Sequence, residues 1–526
     1  MLATSNYVDF KILEPNTQSV LATWQGAAKA NRALPEDKIA LSEDGTVKLI
    51  ERAPKKALVG ILHLTSKYMY GMTGHGTPMY LCEPLNKGYP SFRVACKERD
   101  RSQNLLVSFQ FESWEDGSEL PRGGLLKILG VTEDPAAEAE ALAILSCPWT
   151  APRPDSAPCF QASDRPILSK GTFNIDPAGC KDIDDVITIE PLEGDAVRLW
   201  ITIADVSELI VPGSKEYQIA EKIGATSYQD GVAVRPMLHR DYSEKACSLI
   251  PGERRYGLAL RIDWSPSKGF RRPPVFEKVM VINQISFTYE NIGMADSYVL
   301  NALKGITSEL AGRPVGDSHE WIEQLMLFYN REAALVLKKA GTGLLRVHDE
   351  PFQEKRKELL AINPRLEYLA YSAARYAPIG TEASHWGLNI DLYCHASSPI
   401  RRFADLVNQQ ILKDWLDKRP CKFNQSYIEA LAEWLNRRQK QIAAAERDFA
   451  CLRAIQTAQT PCVEGLYLWN EKGKAHFWIE AWRIIVRVAL ADVLEPGKIY
   501  QIAYFCDRRK AKWKERMIYS LQRSAL

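Results

Sequence analysis

The chain has 526 residues, 46% hydrophobic and 25% charged, with 31 glycines and 29 prolines, fractions ordinary for a water-soluble globular protein. With 67 basic and 65 acidic residues the net charge is +2, so an anionic partner must be met by local patches rather than by a global field. No apolar run approaches the ~18–20 residues of a membrane helix, and the composition excludes collagen-like and disordered classes.

At roughly 100–200 residues per domain, the length predicts about three domains. The first thirty residues hold Asp9 and Glu14, no arginine and no apolar core before a cleavage-like site, so no targeting signal is expected. The eleven cysteines are scattered without a CxxC pair, and Cys147 and Cys159 lie in a proline-rich stretch with no second pair to complete a zinc site. The eight histidines show neither HExxH nor HxxxH spacing. Reduced thiols, a reducing compartment and a cytoplasmic location are expected.

In chain order, residues 1–55 read as a helical or irregular start. Residues 57–64, 92–96, 104–111 and 125–131 then read as short strands with Gly-rich turns, a small barrel over 56–145. Pro148, Pro152, Pro154, Pro158 and Pro166 mark a linker over 146–168. Beyond it, 185–190 and 197–206 form a predicted hairpin closed by Glu193-Gly194-Asp195, and 276–290 adds strands. Helical spacing takes over at 320–340 and at 426–455, where Ile428, Leu431, Ala432 and Leu435 share one face. Strands return at 464–469, 475–480, 483–490 and 498–505, predicting an OB-type barrel over 459–526. The order is barrel, α+β body over 169–458, barrel.

Chemistry concentrates in residues 174–186, where Asp176, Asp182, Asp184 and Asp185 fall within ten residues. Like charges this close raise one another's pKa unless a cation offsets them, and an oxygen-seeking divalent ion, Mg²⁺ or Mn²⁺, is the natural choice. Asp184 and Asp185 are adjacent and point to opposite sides on extended backbone, so they could bracket two ions. A solvated acidic loop is the bland alternative. An EF-hand fails because the sixth position from Asp182 is Ile187, and a phosphoaspartate site fails because no hydrophobic strand precedes the cluster.

Residues 393–406 read Tyr-Cys-His-Ala-Ser-Ser-Pro-Ile-Arg-Arg-Phe-Ala-Asp-Leu. Ser397 or Ser398 before Pro399 is a helix-start signal, and a helix N-terminus beside Arg401 and Arg402 would suit a phosphate. Alone, this is a capped helix with two surface arginines. Together with the acidic loop it describes carboxylates for metal and guanidinium for phosphodiester.

These residues resemble the ribonuclease II/R (RNB) exoribonucleases. Asp176-Pro177-x-x-Cys180-x-Asp182-Ile183-Asp184-Asp185 fits the family's DPxxCxDIDD signature. Residues 201–206, Gly213-Ser214, Arg235-Pro236-Met237-Leu238 and Cys247-Ser248-Leu249 follow in order. Glu323-x-x-Met326-x-x-x-Asn330, Leu345-Arg346-Val347-His348, His385-x-Gly387-Leu388, the SPIRR box and residues 446–448 complete the series. The resemblance spans about residues 170 to 455.

The resemblance implies an RNB catalytic domain between two OB-type barrels, and a 3′→5′ exoribonuclease that degrades single-stranded RNA to nucleoside 5′-monophosphates with two Mg²⁺ ions. It implies metal binding by Asp176, Asp182, Asp184 and Asp185, with Asp184 essential for cleavage. Arg401 would hold the phosphates near the scissile bond, and Tyr228 would stack on the 3′-terminal base. Glu446, His395 and Ser398 would lie along the RNA. The protein is expected to act as a monomer away from membranes.

Val186, Ser397 and Phe403 stand where the family has Ala, Thr and Tyr. The stretch between Tyr289 and Ile322 is shorter than the family's and mostly polar over 298–320, where relatives carry a strand pair and a second base-stacking aromatic. The N-terminal region is too short for two full cold-shock barrels and predicts one barrel plus a remnant. Arg508, Arg509, Lys510, Lys512, Lys514 and Arg516 form a basic patch suited to an RNA backbone. A catalytically silent RNB-fold RNA-binding protein is the alternative, and a metal-dependent phosphatase a third reading.

Overall fold

The computed structural model describes residues 1–14, 20–42, 45–156, 158, 164–229, 231–382, 384–457, 461–490, 494–507 and 517–522. They form two compact units, residues 1–149 with 441–526, and residues 150–440. Among the described residues no helix is long and apolar enough to cross a membrane.

The first unit opens with an antiparallel sheet of β1 (Leu2–Thr4), β2 (Asp9–Leu13) and β3 (Val20–Gln25), then a hairpin of β4 (Lys38–Leu41) and β5 (Val47–Glu51). The expected helical or irregular start is thus corrected to short strands. The cause is visible in β2, where buried Phe10 and Ile12 alternate with exposed Asp9 and Lys11, a period of two that only a strand can bury on one side. Phe10 stacks on Trp24 with ring centroids 5.1 Å apart.

Strands β6 (Leu58–Leu62), β7 (Met79–Pro84), β8 (Phe92–Ala95), β9 (Leu105–Ser113) and β10 (Arg122–Val131) close into a barrel in the order β10-β8-β7-β6-β9. Sequence reading missed β7, which follows a Gly-rich loop. Strand β6 is apolar throughout because both of its faces are covered. Leu58 and Leu62 point inward with Tyr80, Phe92 and Phe109, while Val59 and Ile61 lie under Ala137, Ala141 and Ile144 of helix α1 (Pro135–Ser146). Asp134 caps α1 by accepting the Ala137 N–H at 3.0 Å.

The second unit is built on β11 (Ile167–Leu168), β12 (Thr172–Asp176), β13 (Asp185–Pro191) and β14 (Val197–Ala204), followed by α2 (Lys215–Ile223) and the ribbon β15 (Ser227–Gln229) with β16 (Val232–Arg235). Then come β17 (Arg254–Ser265), β18 (Gly269–Phe270), β19 (Val275–Ile282), β20 (Ile285–Thr288), α3 (Ser297–Ala311), α4 (Ser318–Ala340) and β21 (Leu344–Val347). Helix α5 (Gln353–Ile362), β22 (Arg375–Pro378), α6 (Phe403–Leu416) and α7 (Gln425–Thr457) complete it, α7 crossing the boundary between units. The main sheet runs β11-β19-β17-β14-β13-β12-β20, with β18 beside β17. The expected β13–β14 hairpin is present, turned at Gly194 in the left-handed region (φ 76°).

Residues 298–320, read as mostly polar, are largely helical, and α3 buries Ala302, Leu303 and Ile306. Ile428, Leu431, Ala432 and Leu435 of α7 are all buried, as their spacing predicts. Under the main sheet, Lys413 of α6 donates to Asp205 Oδ1 at 2.8 Å and to Ser207 Oγ at 2.9 Å, and Arg165 donates to Asp205 Oδ2 at 2.9 Å.

The remainder of the first unit is a five-stranded sheet, β23 (Cys462–Glu471), β24 (Lys474–Ile479), β25 (Ile484–Ala489), β26 (Ile499–Cys506) and β27 (Met517–Leu521), ordered β25-β24-β23-β26-β27. Its core holds Tyr467, Phe477, Ile479, Trp482, Val486 and Ile502. The basic patch at 508–516 lies outside the described residues, as does Cys159.

Candidate active site

The acidic loop leaves the sheet at Asp176, the last residue of β12, and re-enters it at Asp185, the first of β13. Ser248 fastens the loop between them. Its Oγ accepts the Ile183 N–H at 2.9 Å and donates to the Lys181 carbonyl at 2.7 Å, while Leu249 N donates to Ile183 O at 3.0 Å. That gives the Cys247-Ser248-Leu249 motif a physical role. Asp184 O accepts Ala204 N at 2.8 Å, so the loop is tied to β14 as well.

The SPIRR segment meets this loop at Asp184. Asp184 Oδ1 accepts the Ile400 N–H at 3.0 Å, and Oδ2 accepts from Arg401 Nε at 3.1 Å. Arg401 Nη2 donates to Ser398 Oγ at 3.0 Å. Asp405 Oδ1 accepts both the Ser398 N–H at 2.8 Å and Arg402 Nη2 at 2.7 Å. The predicted helix start at Ser397 or Ser398 is therefore corrected. Helix α6 begins at Phe403, because Asp184 and Asp405 capture the Ile400 and Ser398 N–H groups that a helical turn would have left for an anion. The Arg401 side chain remains 46% exposed beside a 5% exposed Asp184.

The carboxylates carry more negative charge than this frame offsets. Burial pushes Asp184 up to about 7, against the pull of Arg401 and the Ile400 N–H. Burial, then the charges of Asp176 and Asp184, push Asp185 well above its ordinary range. Asp176 is also raised by burial, with its Oδ2 accepting from Asn174 Nδ2 at 2.9 Å. Asp182 Oδ2 accepts the Tyr228 hydroxyl at 2.6 Å. The adjacent Asp184 and Asp185 thus answer to different partners, one to the arginine box and one to Asp176. Crowded, hard, oxygen-only donors whose charges raise one another are chemically suited to Mg²⁺ or Mn²⁺. Among the described residues no group of three or more His, Cys, Asp or Glu side chains stands ready as one metal cage, since Asp182 and Asp184 are turned to Tyr228 and Arg401.

Two further rings border the cluster. Strand β12 pairs in parallel with β20, placing Thr288 beside Asp176 and the next residue, Tyr289, in the field of Asp176 and Asp185. Burial and these charges push the Tyr289 hydroxyl up to about 12. His319, in the first turn of α4, stacks on Tyr289 with centroids 3.8 Å apart and planes 14° from parallel. Ser318 Oγ donates to the Tyr289 carbonyl at 2.9 Å and holds that turn in place. Sequence reading named no ring in the shortened segment, because this contact depends on a parallel strand pairing that no local pattern reveals.

Asn330 of α4, part of the Glu323-x-x-Met326-x-x-x-Asn330 motif, lies against the segment that precedes the box. Its Nδ2 donates to Tyr393 OH and Ser397 Oγ, both at 3.1 Å, and its Oδ1 accepts the Ala396 N–H at 2.8 Å. Asn408 likewise donates to the His395 carbonyl at 2.9 Å. The predicted RNA-binding residues fall in different places. Tyr228 lies beside Asp182. His395 is held near the Tyr376 hydroxyl at 3.1 Å, and burial followed by Arg402 and Arg346 drives its pKa well down, leaving it neutral. Ser398 is 5% exposed and faces Arg401. Glu446 is exposed on α7, within the other unit.

Comparison with known proteins bears on the fold that carries these residues. Residues 165–295 and 363–418 match the RNB domain, and residues 79–145 match the Dis3-like cold-shock domain 2. A protein named Ribonuclease R from Helicobacter pylori is 26% identical over 350 residues, covering 53% of this chain and 53% of its own length. The chain spans about half the length of the first curated relatives it matches. Among solved structures, Mycoplasma genitalium RNase R in complex with ribose-methylated single-stranded RNA superposes with a TM-score of 0.71 at 17% identity, covering 98% of this chain and all of that one. Yeast Ssd1, described as a pseudonuclease, superposes with a TM-score of 0.65 at 15% identity, covering 93% and 78%. These likenesses establish the fold, a central RNB body with OB-type cold-shock modules.

Proposed function

We propose that this chain, whose residues 165–295 and 363–418 match the RNB domain, is a divalent-metal-dependent 3′→5′ exoribonuclease acting on single-stranded RNA. The observation that supports this most is the pairing of an undercompensated carboxylate cluster with an exposed arginine on its rim, the two linked through Asp184. Asp176 and Asp185, with Asp182 and Asp184 once released from their present partners, would hold Mg²⁺ or Mn²⁺. A bound divalent ion supplies an activated water and offsets charge on the scissile phosphate.

The remaining work falls to side chains. Arg401 exchanges its contact with Asp184 for a phosphate oxygen, so RNA arrival both orients the scissile group and frees a carboxylate. Tyr228 offers its ring to the terminal base, and the Tyr289–His319 stack offers a second aromatic surface on the Asp176 side of the cluster. Asn330 and Asp405 keep the box in register with the loop.

Product analysis tests the reading. Single-stranded RNA with a free 3′ end should yield nucleoside 5′-monophosphates, with loss of product on chelation, while a generic phosphate ester is left intact. Turnover of the ester without attack on RNA would favour a phosphatase. Bound but intact RNA would favour a silent RNA-binding protein, the reading supported by the likeness to a pseudonuclease and by the present Asp184–Arg401 closure.

A further inference from the structure

On the far side of the arginine box lies a cavity of about 350 Å³, within the size range of small-molecule sites, lined by Pro212, Gly213, Tyr217, Glu221, Lys422, Phe423 and Tyr427 among others. Nothing in the proposed hydrolysis uses it. One wall is aromatic: Phe423 and Tyr427 are stacked, with centroids 5.3 Å apart and planes 15° from parallel. The inner end is polar. Tyr217 is 4% exposed, and its hydroxyl and that of Tyr427 are shielded from solvent without a well-formed hydrogen bond. They lie beside the Glu221 carboxyl, close enough for the three groups to shift one another's protonation. Burial raises the pKa of the Glu221 carboxyl. Exposed Lys422 supplies a cation to the same cavity.

A flat apolar wall, an edge of mixed donors and acceptors and a cation describe a planar heteroaromatic ring bearing an anionic group. We propose that this cavity is a second nucleotide site, separate from the carboxylate cluster, that takes a nucleoside 5′-monophosphate with its base against Phe423 and Tyr427, its polar edge toward Tyr217 and Glu221, and its phosphate toward Lys422. The shielded hydroxyls of Tyr217 and Tyr427 gain well-formed hydrogen bonds from the base edge, which favours binding. The inference rests on the proposed reaction only for the source of the nucleotide; binding does not require hydrolysis.

The site is mechanically connected to the box. Tyr217 packs edge-on against Phe403 with centroids 4.9 Å apart. Phe403 N donates to Gly224 O, and Thr226 N donates to Arg401 O, both at 2.9 Å. Helix α2 therefore touches the cavity on one face and leads directly into the segment that backs Arg401 and presents Tyr228.

The test uses the full chain carrying Asp184→Asn, so that no turnover intervenes. Equilibrium dialysis with labelled adenosine 5′-monophosphate is paired with photolabelling by 8-azidoadenosine 5′-monophosphate and peptide mapping. Saturable binding and labelling within 212–221 or 422–427 are expected. Lys422→Glu, a surface change that leaves the fold alone, should weaken nucleotide binding about fivefold or more while leaving adenosine binding unchanged, and Phe423→Ala should weaken both. Neither should alter affinity for single-stranded RNA. Labelling confined to peptides around Asp182 and Tyr228, binding indifferent to both substitutions, or no saturable binding would each overturn the proposal. The exonuclease reading would survive any of these, because it is judged by product release from RNA.

Discussion

Two buried carboxylate assemblies in the same body contrast sharply. At Asp205, burial alone would raise the pKa, but Lys413 and Arg165 carry it below the ordinary range, and every charge there has a partner. At Asp184, Asp185 and Asp176, burial and mutual repulsion win despite Arg401. A matched cluster holds the fold together. An undermatched one stores unfavourable charge that a cation and a phosphate can relieve, and binding sites are where such charge is tolerated.

The largest expected effect separates the two directly. Asp185→Asn removes charge from the undermatched cluster, so hydrolysis should fall at least ~10³-fold while the metal-free protein melts ~2 °C or more higher. Unchanged turnover, or a lower melting temperature, would break the contrast. Arg401→Ala should lower kcat by ~10²–10³ through loss of stabilisation at the phosphoryl group, read by single-turnover kinetics on short RNA. Lys413→Met should do the converse of Asp185→Asn. It leaves buried Asp205 with Arg165 but without the Lys413 ammonium, and should cost ~3 kcal/mol in denaturant unfolding. Since folded Asp205 titrates below its unfolded range, its stabilisation is present above that range and is lost as pH falls through the folded value.

Smaller effects sharpen the picture. Asn330→Ala loses three bonds to the loop that carries the box, and kcat should fall about tenfold with RNA affinity nearly unchanged, which a purely structural role would not produce. His319→Ala should raise KM for short oligonucleotides about threefold or more, with His319→Phe restoring it, if the Tyr289 stack meets a base.

Much of the site was legible before the fold was known, because the acidic loop and the SPIRR box are each contiguous and their chemistry is local. The strand-helix pattern of the body was legible for the same reason, through the periodicity of segments such as Ile428–Leu435. What escaped was set by pairing over distance. Tyr289 reaches Asp176 only through the parallel β12–β20 contact, and His319 reaches Tyr289 only because α4 starts where it does. The helix start at Ser398 failed because Asp405, seven residues on, takes the Ser398 N–H and Asp184, 216 residues before Ile400, takes the Ile400 N–H. The N-terminal strands were missed because five-residue stretches such as Asp9–Leu13 give too short an alternation to outweigh their polar surroundings.

The most direct test of the central claim is a time course on 5′-labelled single-stranded RNA with Mg²⁺, with and without chelator, beside Asp184→Asn. A ladder shortening from the 3′ end, abolished both by chelation and by Asp184→Asn while the variant still binds RNA, is the predicted result. Shortening that persists without metal or without Asp184, or no shortening by the unaltered protein, would contradict the account.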